Sequence, residues 1–366
     1  MKILFVVEHF YPYVGGAEEL FLNLTVSLVQ NGYEVHVVTT QHDDQVQKHE
    51  EYKGVKITRV NCKNRFLFTI MSLPEVIRKA RKTDFIHTTS YNSAVPSFLA
   101  GFLLRKKVVI TFHEVWGKLW FRLPFTPKWK LYFFYLYEWF ILKLPFYKYV
   151  AVSDYTAKSL INKGIPENKV VKIYNGLNYE MLNPYPHLPP EKFTFCFFGR
   201  LGISKGIDIL LEATKLFIAD HPEASLKLII PTYPKKLFEK VLAMIKNLQL
   251  EKNIDLKHNL SKSDLLKEVS HSTCVVIPSY SEGFCFVAVE SAGMGIPVIS
   301  SGKGSLPEVV CGKHLTIENL CAEGIRQTLE KAIMNKWNTS PLKSFHLKAS
   351  IENCLELYDQ MNLIRT

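Results

Sequence analysis

Short apolar runs of β-rich composition alternate with helical stretches along the first 180 residues. Lys2–Val7, Glu34–Thr39, Val55–Val60, Phe85–Thr88, Val108–Phe112 and Tyr149–Val152 read as strands, while Ala17–Gln30 and Pro74–Arg81 show the 3.6-residue period of helices. Strand and helix in turn predict a parallel, doubly wound sheet. Asn183–Lys192 breaks the pattern with four prolines in ten residues, which is linker chemistry. The alternation then restarts, with strands expected at Phe193–Phe198, Ser225–Ile230, Ile254–Lys257, Cys274–Pro278 and Pro297–Ser300. The expectation is an α/β chain of two Rossmann-like domains, residues 1–182 and 193–343. Ser344–Asn362 looks helical, and the closing segment 344–366 is expected to pack back on the first domain. Ligands of open α/β sheets bind at the carboxyl ends of the strands, so a cleft between the two sheets is the expected site.

Composition narrows the picture. A hydrophobic fraction of 47% and a charged fraction of 22% over 366 residues suit two domains with real cores and exclude a disordered chain. The apolar run Ile3–Val7 stops at Glu8-His9, too early for a signal peptide, and no run reaches the roughly 20 uncharged apolar residues of a membrane span. Seven cysteines lie scattered without C-x-x-C pairs, which predicts reduced thiols in a cytoplasmic protein and neither a zinc site nor a disulfide framework. Residues 1–180 hold 24 Lys/Arg against 15 Asp/Glu, whereas the remainder holds 21 against 19. The first half therefore attracts an anionic partner.

Candidate chemistry sits in two stretches of the second half. In Pro278–Ser301 a strand ends at a proline, a loop carries Glu282-Gly283-Phe284, and a helix is expected from near Cys285 through Glu290. The first turn of such a helix has unpaired N–H groups that suit an anion. Glu282 and Glu290, about two turns apart, could each hold a pair of sugar hydroxyls; taken alone they also fit a loop acid and a solvent-exposed helix acid. In Phe195–Asp208 a strand runs into Gly199-Arg200 and then Lys205-Gly206. A forked guanidinium and a mobile ammonium five residues apart suit a diphosphate, although two surface cations would look the same.

Together, G-R-x(4)-K-G and P-S-x(2)-E-G-F-x(5)-E-x-A-x(2)-G-x-P-V-I closely resemble the retaining glycosyltransferases of family 4, which have the GT-B fold. The resemblance extends over the whole chain through Gly15-Gly16-Ala17-Glu18, His113-Glu114, Val152–Leu160 and Tyr174–Asn178. It implies that Arg200 and Lys205 bind the donor diphosphate and that Glu282 contacts the transferred sugar. The backbone of Gly283, Phe284 and Cys285 would lie close to sugar and phosphate, and Glu290 would hold the ribose hydroxyls. Gly15 and Gly16 would let a loop approach phosphate or acceptor, since a side chain there would block it. His113 would lie near sugar and acceptor; a core histidine satisfied by backbone is the alternative. Glu114 stands where many relatives have aspartate, and Cys285 where glycine or proline is commoner. The donor implied is a UDP- or GDP-sugar, with no cofactor and no metal: no D-x-D-like motif is present, and the cations take the metal's place. Front-face attack, with the donor phosphate accepting the proton, is the expected route to retention.

Trp116–Val150 holds four of the five tryptophans and six Lys/Arg against the single acid Glu138. With the basic, apolar stretch Arg65–Lys82 it predicts peripheral attachment to an anionic membrane surface and a lipid-linked or glycan acceptor, through Trp116, Trp120, Arg122, Trp129 and Lys130. An aromatic core helix pair is the alternative. Nucleic acid is not expected, because no recognition motif accompanies the charge. Other functions compatible with the fold are a sugar-nucleotide epimerase, a phosphorylase or a non-catalytic nucleotide-sugar binder. A dehydrogenase is disfavoured, since Gly15-Gly16 is not G-x-G-x-x-G.

Overall fold

The computed structural model describes residues 1–13, 15–42, 45–62 and 65–363. These divide into two compact units, one of residues 1–120, 132–176 and 347–366, the other of residues 121–131 and 177–346. The last three residues of the expected 344–366 segment lie outside the described residues.

Among the described residues, the first unit carries an eight-stranded sheet of β1 (Lys2–Val6), β2 (Glu34–Gln41), β3 (His49–Tyr52), β4 (Val55–Asn61), β5 (Phe85–Thr89), β6 (Lys107–Phe112), β7 (Lys148–Ala151) and β8 (Val170–Lys172). Their order is β3-β4-β2-β1-β5-β6-β7-β8, and every pairing is parallel except β3 with β4. Chain order reverses between β2-β1 and β5, which puts the loops after β1, β5 and β6 side by side at the carboxyl edge.

β1 reads as an unbroken apolar run because helices cover both faces of the sheet. Leu4 and Val6 enter one core with Ile86, Ile110 and Phe146; Ile3 and Phe5 enter the other with Phe21, Leu28 and Tyr358. The closing helix Leu347–Leu363 thus supplies Cys354, Leu357, Tyr358 and Met361 to the first unit's second core. Beneath it His87 pairs with the Tyr358 hydroxyl through Nδ1 and with Thr111 Oγ1 through Nε2. Burial, with His113 as a smaller contributor, holds His87 down at about 3, so the ring is neutral inside the fold.

The second unit carries a seven-stranded sheet of β9 (Thr194–Phe198), β10 (Ser225–Ile229), β11 (Ile254–Lys257), β12 (Cys274–Ile277), β13 (Val298–Ser300), β14 (Gly312–Thr316) and β15 (Asn338–Ser340). The order is β11-β10-β9-β12-β13-β14-β15, parallel except for β15. β9 and β12 are neighbours, so the two stretches with candidate chemistry leave adjacent strands at the same edge.

Two boundaries differ from expectation. The change of unit comes at 176/177, ahead of the prolines, because Leu177 N–H donates to Phe345 O (2.8 Å) and Leu177 bridges His346. Residues 121–131 leave the first unit: Phe125 packs against the second unit's core, and Lys240 Nζ lies 5.4 Å from its ring. Strands β3 and β15 escaped detection because HEEY and NTS are short, polar and at sheet edges, where no apolar run is needed. β8 and β14, VVK and GKHLT, carry too few apolar residues for a run.

Candidate active site

Lys205 and Glu282, 77 positions apart, meet in an ion pair: Nζ lies 2.7 Å from Oε1 and 3.0 Å from Oε2. Two glycines make the approach possible. Gly206 sits at φ +68°, where a Cβ would fall 2.0 Å from Pro278 O; Gly304 sits at φ +66°, where one would fall 2.2 Å from Glu282 O. Backbone bonds close the joint, Tyr280 N–H to Ser204 O (2.8 Å) and Ser305 N–H to Glu282 O (2.8 Å). The Ser279 hydroxyl donates to Glu282 Oε1 at 2.7 Å. Burial alone would lower the Lys205 ammonium, but the Glu282 carboxylate outweighs it and holds Lys205 above its ordinary value, while Arg200 pulls the other way. Arg200 is therefore within electrostatic reach of Lys205. It is exposed, and donates no hydrogen bond among the described residues.

The helix after the Glu282 loop runs Phe286–Gly293, and no side chain caps its N-terminus. Gly283 and Phe284 are buried, with Phe284 edge-on to Phe286 and Phe345 at 5.2 and 5.3 Å. Cys285 occupies the cap position with φ 76° and ψ 80°. Here glycine or proline is commoner in relatives; the positive φ suits glycine, whereas the proline ring, fixed near −65°, does not fit this backbone. Left-handed backbone costs a residue with a Cβ about 1–2 kcal/mol, and burial of the Cys285 side chain returns about 1 kcal/mol. Cys285→Gly should therefore change stability by no more than about 1 kcal/mol, whereas Cys285→Val, with its branched Cβ, should lose about 2 kcal/mol or more. Chemical denaturation of the two variants checks this; equal losses would remove the strain at Cys285.

Glu290 faces inward on the second turn of that helix and is paired with Lys262. Lys262 was not anticipated from sequence. A signal existed: Ser261-Lys262-Ser263-Asp264 is an N-terminal capping pattern, and Ser261 Oγ accepts from Asp264 N–H at 3.1 Å.

At the carboxyl edge of the first sheet, Gly15 caps the helix Gly16–Gln30 with φ −177°. Any residue adopts that extended backbone, so conformational freedom is not what glycine supplies there. His113 follows β6 and meets Phe21 edge-on at 6.0 Å. The same unit holds the buried carboxylates Glu8 and Glu138. Asn92 donates to Glu8 (2.8 Å), and Tyr91, at φ 70°, donates to Glu138 (3.0 Å). Glu138 also accepts the N–H groups of Trp116 (2.8 Å) and Gly117 (2.6 Å). The single acid of the 116–150 segment is thus a buried anchor.

The aromatic segment is divided. Trp116 and Trp120 are half-buried, their rings 5.5 Å apart and Trp120 5.3 Å from Phe134; Arg122, Trp129 and Lys130 are exposed and belong to the second unit. The stretches 65–82 and 116–150 both contribute to an exposed apolar surface of the first unit, to which the helix Ala94–Leu104 adds Phe102. Ile70, Phe102, Phe133 and Trp139 are each more than half exposed, on helices Phe68–Met71, Ala94–Leu104 and Lys128–Lys143. Phe66 stacks on Phe134 at 6.0 Å and Phe68–Met71 packs on Ala94–Leu104, so these side chains form one apolar surface. No helix among the described residues is long and apolar enough to cross a membrane. All seven cysteines are free thiols, and no group of three or more His, Cys, Asp or Glu is arranged to hold a metal ion among the described residues.

Family models for Glycosyltransferase Family 4 and for Glycosyl transferases group 1 match residues 14–180 and 184–341. The chain is a family 4 glycosyltransferase of the GT-B fold. It is 27% identical to an uncharacterized glycosyltransferase of Methanocaldococcus jannaschii, over 99% of both chains. It is 26% identical to the GDP-mannose:cellobiosyl-diphosphopolyprenol alpha-mannosyltransferase of Xanthomonas campestris, over 82% of this chain and 78% of that one. Among solved structures, an Anabaena protein crystallised with UDP-glucose superposes with a TM-score of 0.71, at 16% identity over 98% of this chain and 100% of that one. The glycosyltransferase shares its fold with that protein.

Proposed function

We propose that this glycosyltransferase moves a hexose from a UDP- or GDP-sugar to a hydroxyl of a lipid-linked or glycan acceptor at the cytoplasmic face of a membrane, with retention of anomeric configuration and without a metal ion. The observation that carries the donor half is the Lys205–Glu282 joint with Arg200 beside it, at the carboxyl edge of the second sheet. When a diphosphate leaves, negative charge grows on its oxygens. A preorganised guanidinium and ammonium stabilise that charge more than they stabilise the bound donor, which lowers the barrier. Glu282 has the position to accept sugar hydroxyls, since the cation holds its carboxylate in one orientation. The acceptor hydroxyl attacks the same face that the diphosphate leaves, and a phosphate oxygen takes its proton. UDP-glucose in the Anabaena structure, and GDP-mannose and a diphosphopolyprenol in the Xanthomonas enzyme's name, support this donor and acceptor chemistry.

The membrane half rests on the apolar surface around Ile70, Phe102, Phe133 and Trp139, in the more basic half of the chain. Rings and aliphatic groups would enter the headgroup boundary while Arg81, Lys82, Arg105 and Lys143, all exposed, meet anionic phosphates.

The test is transfer of labelled sugar from UDP-glucose, UDP-N-acetylglucosamine and GDP-mannose into the organic phase, using phosphatidylglycerol vesicles that carry a polyprenyl-diphosphate-linked glycan. One donor should label the lipid, and NMR of the product should show the donor's anomeric configuration. The double variant Phe133→Ser/Trp139→Ser should lower vesicle co-sedimentation by about tenfold or more, as loss of two buried aromatic rings requires. Absence of turnover with every nucleotide sugar would refute the donor half; unchanged co-sedimentation would refute the membrane half.

A further inference from the structure

The buried carboxylates Glu8, Glu138, Glu282 and Glu290 each meet a donor: Asn92, the Trp116 and Gly117 N–H groups with Tyr91, Lys205, and Lys262 respectively. Glu18 differs. It is 8% exposed, its Oε2 is enclosed, and no hydrogen bond reaches that oxygen among the described residues. A buried carboxylate oxygen without a donor costs stability, so packing gives no reason to place an acid there.

The helix decides where the carboxylate points. Glu18 stands in the first turn of the 15-residue helix Gly16–Gln30, on the inward face with Phe21, Thr25 and Leu28. A helical side chain leans toward the N-terminus of its own helix. The Glu18 carboxylate therefore lies toward the Gly15–Gly16 end, at the carboxyl edge of the first sheet, where open α/β sheets bind their ligands. The field of the helix terminus does not account for its burial, since Glu19, in the same turn and exposed, meets that field from the surface. A carboxylate oxygen accepts and does not donate, so the group that completes it carries a hydroxyl or an N–H; a phosphate oxygen would be repelled. Resting on the transfer reaction proposed above, in which Glu282 of the second unit takes the donor sugar, we infer that Glu18 binds the acceptor by taking a hydrogen bond from a hydroxyl of its terminal sugar. It thereby selects among acceptor glycans. An acceptor that lacks this hydroxyl leaves the enclosed oxygen unpaired, and pays the cost that makes the site selective.

The test uses the full chain and a polyprenyl-diphosphate-linked glycan on phosphatidylglycerol vesicles, its terminal sugar complete or lacking one hydroxyl at each position in turn. With the wild-type protein, one deoxy acceptor should show a KM about tenfold or more above that of the complete acceptor. Glu18→Met, similar in length and without an acceptor oxygen, should raise KM for the complete acceptor by about tenfold and abolish the discrimination against that deoxy form. Hydrolysis of the nucleotide sugar without acceptor should stay within about twofold of wild type, since the donor is held elsewhere. The melting temperature of Glu18→Met should hold or rise by about 2 °C, because an unpaired buried group has gone. Glu18→Gln keeps one acceptor oxygen and should retain part of the discrimination. An unchanged acceptor KM in Glu18→Met overturns the inference. So does an equal loss with every acceptor accompanied by a fall in melting temperature in both variants, which would mark Glu18 as scaffold. Wild-type turnover without discrimination among the deoxy acceptors refutes the inference alone, whereas absence of turnover with every nucleotide sugar refutes the proposed function and the inference with it.

Discussion

Arg200→Ala is expected to leave the fold intact and to lower sugar transfer by about 10²–10³-fold, the usual cost of removing one preorganised donor to a developing anion. Both halves of that outcome come from one observation. The guanidinium is exposed at the end of β9 and donates no hydrogen bond among the described residues, so its removal breaks none of the folded chain's described hydrogen bonds. A surface substitution of this sort changes stability by no more than about 0.5 kcal/mol. Catalytic loss without loss of melting temperature is the signature of a residue that waits for a ligand. Lys205→Met should behave differently. It removes the partner of a carboxylate that is 7% exposed, so stability should fall by about 1–3 kcal/mol along with activity. The pair of variants, compared by thermal melting and by rates of transfer, separates donor binding from scaffolding. A melting loss in Arg200→Ala matching that in Lys205→Met would count against the assignment.

Glu138→Ala should be the most destabilising single change in the first unit among those considered, by about 3 kcal/mol, which corresponds to a fall of roughly 6–12 °C in melting temperature for a domain of this size. The carboxylate is 2% exposed, and burial raises it above its ordinary value against the opposing effect of its hydrogen bonds. Two backbone N–H groups and the Tyr91 hydroxyl converge on it, and truncation would orphan all three. Glu138→Gln keeps one acceptor oxygen and should cost about half as much. Glu138→Ala would also release Trp116 and Gly117, three and four residues beyond His113, so transfer rates should fall together with stability. Differential scanning calorimetry decides the question, and a loss below about 0.5 kcal/mol for Glu138→Ala would show that the three donors find other partners.

The two-domain α/β fold was legible because its signals are short-range. β1, β6 and β9 announced themselves as apolar runs, and the Phe286–Gly293 helix with its preceding loop is one continuous segment, so Glu282, Cys285 and Glu290 came into view as a motif. Strand β3 was invisible, since an edge strand needs no apolar face, and the contribution of Phe102 to the surface formed by the stretches 65–82 and 116–150 was invisible, since exposure is not a property of a side chain. The pattern 116–150 looked like one aromatic block, yet residues 121–131 left for the other unit and the Trp116 backbone anchors on the buried Glu138.

By itself the sequence determined where the apolar strands and their helices lie and which family the chain resembles, because periodicity and loop chemistry act within a few positions along the chain. Only the tertiary structure decided the partners: Lys205 for Glu282, Lys262 for Glu290, Tyr91 and the 116–117 backbone for Glu138. Those pairings depend on strand order and on where successive loops emerge at a sheet edge. Burial then makes an unpaired charge costly enough that a distant residue is held in place to meet it.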